Sequence, residues 1–370
     1  MLWDIFCRVI DNFGDIGVCW RLAADLASRD QHVRLWVDDA SALKWMAPGA
    51  LQGQCPGIRV LTWDDASQAQ TLHALGRADV WIEAFGCELP EGFVTHHALD
   101  AQAPRPVWLN LEYLSAEAYV ERSHGLPSPV LRGPAAGWTK YFFYPGFTEK
   151  TGGLLREASA QGSKATDAQP PAWLPDLHSS ISKDTPVRRI SLFCYEPSLL
   201  GPMLEALAAH GHPTQLLVTQ GRAAQAVRAL WGDHTQKGTL SVHFLPWLTQ
   251  PEFDVLLRHC DLNFVRGEDS VLRALWAGKP FVWHIYPQED GADQPKLEAF
   301  MEQLQLSAPV RDLHRAWNGM PGVSPNATPL QVLHPDSAMA WQEQVRMARD
   351  KLLKMEDLSS QLLQFVQKNR

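Results

Sequence analysis

The chain has 370 residues, with 33 basic and 41 acidic side chains, a formal net charge of −8, 45% hydrophobic and 20% charged residues. That length suits about two domains of roughly 150 residues each, and the composition excludes wholesale disorder. No global basic field is available to grip nucleic acid directly, although an acidic chain can hold a nucleotide locally and attract cationic groups. No run reaches the roughly 18 apolar residues of a spanning helix, and the N-terminus lacks a basic region and a cleavage site, so a cytoplasmic protein without membrane contact is expected. The six cysteines form no CxxC pair and mostly sit in apolar runs. They read as buried thiols rather than as disulfides or zinc ligands.

In chain order, residues 3–10 (WDIFCRVI) read as a buried strand, and DNFGDIG (11–17) as a turn. Residues 18–30 carry apolar groups at helical spacing. Residues 32–38 form the next strand, and a helix over 40–47 stops at Pro48-Gly49. IRVLTW (58–63), DVWIEAF (79–85) and PVWLNLEY (106–113) are further strands, and their alternation with helices predicts βαβ units and a mostly parallel sheet. Residues 158–187, rich in Ser, Ala, Gln and Pro, are expected to be a linker or exposed loop. The alternation restarts with strands at 188–195, 214–220, 240–247, 262–267 and 280–286, and helices at 198–211, 222–232, 251–261 and 268–279. A single helix is expected over 337–366. The fold class is therefore α/β, with two Rossmann-like domains facing a cleft. They span 1–157, completed by the C-terminal helix 337–370, and 188–336. Ligands in such sheets bind at the carboxyl ends of strands.

Two strand-to-helix turns carry candidate chemistry. The first holds Asp11 and Asp15 around Gly14 and Gly17. The dinucleotide fingerprint GxGxxG is absent, which disfavours a Rossmann dehydrogenase. Two nearby carboxylates at a strand end can supply a general base, one raising the proton affinity of the other. The plain alternative is a turn residue (Asp11) and a helix cap (Asp15). The second turn is Arg266-Gly267-Glu268-Asp269-Ser270, with Asp269 or Ser270 as N-cap. A helix N-terminus offers free N–H donors and partial positive charge to a diphosphate, and Arg266 adds a forked donor. Glu268 suits sugar hydroxyls better than phosphate. The plain alternative is a capped helix with a solvated acidic face. Phe193, Tyr195, Trp247 and Phe253 fall where a base could stack, though with fifteen tryptophans in the chain any aromatic can equally be core. His284 ends the last strand and reads first as a structural histidine. No HxxxH or DxD-type array lies beside these elements, so no metal is expected.

The stretches WDIFCRVIDNFGDIGVCWRLA (3–23), LWVDD (35–39), WLNLEYLSAE (108–117), KYFFYPGFTEKTGGLLRE (140–157) and VRGEDSVLRALWAGKPFVWHIYPQ (265–288) resemble the EarP family, the protein-arginine rhamnosyltransferases of bacterial elongation factor P. The resemblance covers nearly the whole chain, apart from the linker and 310–336. It implies a GT-B inverting glycosyltransferase. Such an enzyme moves rhamnose from dTDP-β-L-rhamnose, its donor substrate, to one arginine guanidinium of elongation factor P, which then helps ribosomes stalled on proline runs. It implies essential carboxylates at Asp11, Asp15 and Glu268. It places donor diphosphate and sugar contacts at Arg266, Asp269, Ser270 and Tyr195, and a thymine pocket at Phe193, Gln250 and Phe253. Trp247 sits where relatives vary. Glu112 is a candidate acceptor contact that could equally cap or pair locally. The competing readings are another GT-B nucleotide-sugar transferase, a pyruvyl transferase sharing the N-x-GD turn, and a non-catalytic module that binds the nucleotide or the factor.

Overall fold

The computed structural model describes residues 1–10, 13–99, 103–157, 171–175, 187–232, 234–288, 290–321 and 329–370. Two compact units form, Met1–Ala158 with Leu352–Arg370, and Ser159–Lys351. In the first unit the strands are β1 (Leu2–Cys7), β2 (His32–Val37), β3 (Ile58–Thr62), β4 (Val80–Ala84), β5 (Val107–Leu111), β6 (Pro127–Pro129) and β7 (Thr139–Phe143). Their order across the sheet is β3-β2-β1-β4-β5-β7-β6, and every pairing is parallel except that of β6 with β7. Helices α1 (Gly14–Ser28), α2 (Leu43–Met46), α3 (Ala69–Leu75), α4 (Glu91–Ala98) and α5 (Tyr119–Ser123) connect them.

The second unit carries β8 (Arg188–Leu192), β9 (Thr214–Val218), β10 (Gln236–Lys237), β11 (Leu240–Phe244), β12 (Leu262–Arg266) and β13 (Phe281–His284) in the order β10-β11-β9-β8-β12-β13. Only β10 runs antiparallel to its neighbour. Its helices are α6 (Leu200–Ala209), α7 (Arg222–Trp231), α8 (Gln250–His259), α9 (Gly267–Ala277), α10 (Asp293–Gln303), α11 (Ala308–Trp317) and α12 (Pro335–Leu352), and α13 (Leu358–Asn369) returns to the first unit. In both sheets the winding reverses beside the first strand, between β1 and β4 and between β8 and β12. Crevices at the carboxyl ends of such strands are where doubly wound sheets hold ligands.

Burial on both faces explains the near-continuous apolar strands. Phe6, Trp36, Trp81, Phe93 and Trp108 make one aromatic core in the first unit, with Phe6 stacked on Trp36 at 5.4 Å and Phe93 edge-on to Phe6 at 4.8 Å. A charged pair sits within this sheet. Asp4 and Arg34 face each other in register on β1 and β2. The guanidinium donates to both Asp4 oxygens at 2.6 Å, and Trp36 Nε1 adds a third bond at 2.7 Å. Burial holds the Asp4 carboxyl above its ordinary range, and the Arg34 and Trp36 donors offset only part of that desolvation.

Several expected boundaries shift. The first helix starts at Gly14 rather than 18, so Asp15 lies inside its first turn and does not cap it. Phe13 is the N-cap residue, with no side-chain cap bond. The helix expected over 337–366 is two helices. Asp357 accepts from the Ser360 amide and starts α13 anew, and Arg29 of α1 binds both Asp357 and Ser360. Residues 337–351 fall in the second unit, because Arg349 covers Gly278 and Gln344 accepts from the Ser307 amide. Arg156 donates to the carbonyls of Leu353 and Met355 just past the end of α12, a favourable place for a cation. Within the expected linker, residues 171–175 and the terminal residue 187 are described. There Leu174 is buried in a cluster with Leu217, Leu245, Leu248 and Leu256, so this piece is core rather than exposed loop. Five of the six thiols are buried and Cys55 is half-buried.

Four histidines are held neutral, chiefly by burial: His97 and His284 are pushed down to about 3, and His124 and His314 to about 4. The Tyr144 amide donates to His124 Nδ1 at 3.1 Å, a bond that needs that nitrogen unprotonated. Unfolded histidines titrate near about 6.5, so the unfolded state binds more protons below that pH. Stability is therefore expected to fall as pH drops from about 6.5 towards 4. Urea midpoints measured between pH 7 and 4.5 should show the decline, and His97→Phe should make it shallower. An equally steep decline in that variant would remove His97 from the account.

Candidate active site

In the first unit the site is built where β1, β4 and β5 end. Asp15 is 3% exposed, on the first turn of α1. Burying Ile16, Cys19, Trp20, Leu22 and Leu26 against the sheet fixes the rotation of α1, and with it the direction of Asp15. The Ile10 amide donates to Asp15 Oδ2 at 2.8 Å, and the Tyr113 hydroxyl reaches Oδ1 at 3.4 Å. A carboxylate held through its own oxygens keeps its orientation without a full helix cap. Asp15 also bears on the thiol of Cys7. A hydrogen bond with Cys19, burial, and the charges of Asp15 and Asp38 together hold that thiol well above its ordinary range. Asp11, the other acid of this turn, lies outside the described residues.

Glu112 directly follows β5. Its amide extends the ladder to the Phe143 carbonyl at 2.9 Å, and Asn110 Nδ2 donates to its Oε1 at 2.8 Å. The local pairing that the sequence left open is therefore real. Glu112 also adds to the burial that pushes the Tyr144 hydroxyl up to about 12. Next along the chain, Tyr113 stacks on Phe85 at 4.5 Å with rings 16° apart. Neither residue was a sequence candidate. The only signal for Tyr113 is its place beside Glu112 at a strand end.

In the second unit the candidates gather at the ends of β8, β12 and β13. Arg266 and His284 are paired in register, and Tyr195 lies beside both. The Arg266 guanidinium stands 4.7 Å from the Phe193 ring centre and 4.6 Å from that of Tyr195. Phe253 meets Phe193 edge-on at 5.4 Å. His284 meets Tyr195 at 5.1 Å, and Arg222 covers Tyr195 at 5.1 Å while gripping Glu196 at 2.5 and 2.8 Å. Cation–π contact and burial of the stem hold Arg266 (4% exposed) in place. Burial first, then the Arg266 charge, keeps the His284 imidazole neutral, so it is unsuited to act as a proton carrier near pH 7.

The turn after Arg266 differs from the sequence expectation. Arg266 itself is the N-cap of α9, so neither Asp269 nor Ser270 caps it. Gly267 opens the helix at φ +68°, a conformation costly for any residue with a Cβ. The Ser270 hydroxyl donates back to the Arg266 carbonyl, and Asp269 lies 3.9 Å from Arg273, which also neighbours Asp254. Glu268 pairs with Lys296 of α10 at 2.5 Å, both about 17% exposed. Helix α10 was not predicted, although Asp293-Gln294-Pro295 is a recognisable helix start. Gln250 is buried as the first residue of α8, behind a Thr249–Glu252 capping box. Trp247 is 48% exposed. Among the described residues no three His, Cys, Asp or Glu side chains group as metal ligands, and no helix is long and apolar enough to cross a membrane.

Residues 3–367 match the family described as EarP, elongation-factor P (EF-P) rhamnosyltransferase. The chain is 45% identical over 339 residues to a protein-arginine rhamnosyltransferase of Pseudomonas putida, covering 85% of this chain and 86% of the relative. It is 40% identical over 387 residues to that of Pseudomonas aeruginosa, covering 98% of each. A solved structure described as the basis for EarP-mediated arginine glycosylation of translation elongation factor EF-P aligns with TM-score 0.61 at 31% identity, covering 100% of this chain and 99% of the other. The Streptomyces sp. SF2575 glycosyltransferase SsfS6, solved with thymidine diphosphate, aligns with TM-score 0.52 at 10% identity over 100% and 99%, which shows a shared GT-B fold alone. Two doubly wound sheets, the sequence match across both of them and the likeness to the solved EarP structure agree, and the chain belongs to the EarP family of protein-arginine rhamnosyltransferases.

Proposed function

We propose that this enzyme moves L-rhamnose from dTDP-β-L-rhamnose to one guanidinium nitrogen of a single arginine of elongation factor P, in the cytoplasm, with inversion and without a metal. The modified factor would then act on ribosomes stalled at proline runs. The observation that carries the donor half is the Arg266 cluster. A buried guanidinium clamped between Phe193 and Tyr195 leads directly into the N-terminus of α9. A forked cation followed by free helix N–H groups suits a diphosphate, and the Phe193–Phe253 edge with buried Gln250 suits a pyrimidine base. Arg266, Tyr195, Asp269 and Ser270 hold the diphosphate and sugar in this reading. Glu268, aimed by its ion pair with Lys296, orients the rhamnose hydroxyls.

The acceptor half needs carboxylates. An arginine side chain has a pKa above about 12 and delocalised lone pairs, so it is a cation and a poor nucleophile. Asp15 is proposed as the general base, with Asp11 and Glu112 gripping the guanidinium. In a single displacement the N–C1 bond forms as the C1–O bond to the diphosphate breaks. The proton passes from the nitrogen to the Asp15 carboxylate, and dTDP leaves with its charge met by Arg266 and the α9 N-terminus.

Incubating purified elongation factor P with the enzyme and dTDP-rhamnose should add one deoxyhexosyl mass, located on one arginine by peptide sequencing. A pyruvyl adduct would favour the other transferase class, and an unchanged mass a binding module. Asp15→Asn should lower turnover by about a thousandfold, in the range of a lost general base, while dTDP-rhamnose affinity stays within a few-fold. Near-normal turnover would remove Asp15 as base. Arg266→Ala should weaken dTDP binding by roughly tenfold or more in calorimetry, the value of a charge-assisted contact. Unchanged affinity would refute its phosphate role.

A further inference from the structure

We propose that Tyr113 is a positioning residue for Asp15, held in place by the left-handed backbone of Phe85. The inference rests on the reading of Asp15 as the base and adds a residue to it. Three observations converge. The Tyr113 hydroxyl points at Asp15 Oδ1 from 3.4 Å, while the Ile10 amide holds the other oxygen at 2.8 Å. At 3.4 Å the contact is longer than a formed O–H···O bond of about 2.7 Å. Hydrogen bonds of this kind are often long before substrate binds and shorten in the reacting complex.

The Tyr113 ring is also constrained from its other side. It lies nearly parallel to Phe85 at 4.5 Å, which limits rotation of the phenol about its axis. Phe85 adopts φ +58°, and Gly86 and Glu88 that follow it also have positive φ. A left-handed phenylalanine is costly and persists only where its surroundings impose it; such residues cluster at functional sites. Here the Phe85 amide continues the β4–β5 ladder to the Leu111 carbonyl at 2.7 Å, so the turn departs abruptly from the sheet and lays the ring against Tyr113. Strand β5, two residues before Tyr113, therefore anchors both members of the stack. A phenylalanine at 113 would pack equally well. The hydroxyl is what couples the stack to the carboxylate.

The mechanism is orientation and proton affinity. A donor to the charged form favours it, so the hydroxyl adds to the stabilisation of the Asp15 carboxylate and aims its reacting oxygen. The groups that face Asp15 include the Ile10 amide, the Tyr113 hydroxyl and the Cys7 thiol, which also feels Cys19 and Asp38. Glu112 precedes Tyr113 in the chain. The Cys7 thiol stays protonated, so it does not contribute to an acidic limb.

The test is Tyr113→Phe, which keeps the ring and removes the oxygen. The expected result is kcat lowered about tenfold, the scale of a lost hydrogen bond to a charged group. KM for dTDP-rhamnose and for elongation factor P should stay within about twofold. The acidic limb of kcat/KM should move to higher pH, because the carboxylate has lost a donor. Phe85→Leu, which leaves the hydroxyl but loosens the ring, should lower kcat in the same direction with KM unchanged. If both variants keep kcat within twofold of the parent and the pH limb of Tyr113→Phe superimposes, the proposal is overturned. Asp15→Asn, assayed alongside, separates the two levels. Its inactivity together with a silent Tyr113→Phe sinks only the positioning role, whereas an active Asp15→Asn sinks the base and this inference with it.

Discussion

Parallel pairing within each sheet is the constraint on which the site depends. A parallel strand must return over a face of the sheet before the next begins, so the parallel strands end at the same edge, and β1, β4, β8 and β12 hand over to helices there. When the winding reverses beside the first strand, the loops after β1 and β4, and after β8 and β12, diverge and leave a crevice. Asp15, Phe85 and Tyr113 occupy that position in the first unit, as do Tyr195, Arg266 and Glu268 in the second. No single interaction gathers them. The topology does, and the buried Asp4–Arg34 pair and the aromatic core around Trp36 and Trp81 keep the strand register that makes it hold.

Polar residues in each unit are fixed by groups that also serve packing. Arg266 is wedged between rings, and Ser270 returns a bond to its carbonyl, so the guanidinium and the first turn of α9 form one rigid piece. Such pre-organisation lowers the entropy that a bound diphosphate would otherwise have to supply. Asp15 is treated in the same way, with its oxygens addressed by backbone and phenol rather than by a helix cap. Glu268 is different. Its partner Lys296 comes from a separate helix, so the position of that carboxylate depends on how α10 packs against α9.

The fate of the four neutral histidines illustrates how desolvation settles chemistry. His284 sits among Arg266, Tyr195 and Trp317. Its residue type invites a role in proton transfer, yet desolvation and a neighbouring cation keep it neutral. It is held as a flat, uncharged ring.

Alternating apolar runs and Gly-bearing turns made the two doubly wound halves and the position of the RGEDS turn legible from the chain alone, because strand and helix periodicities are local properties. The motif strings carried the family for the same reason. The hairpin of β6 and β7 and the helix α10 were not legible, since short strands and a weakly amphipathic helix take their stability from neighbours; α11, whose Val310, Leu313, Ala316 and Trp317 share one buried face, carried a periodic signal that the sequence reading missed. The break before Asp357 was equally hidden. No Gly or Pro marks it, and Arg29, more than 300 residues away in sequence, selects the new helix start. Tertiary structure alone decided that Asp15 lies within α1 rather than capping it, that Lys296 is the partner of Glu268, and that a left-handed Phe85 supports Tyr113. Each depends on contacts between segments far apart in the chain, and such contacts leave no periodic trace in the sequence.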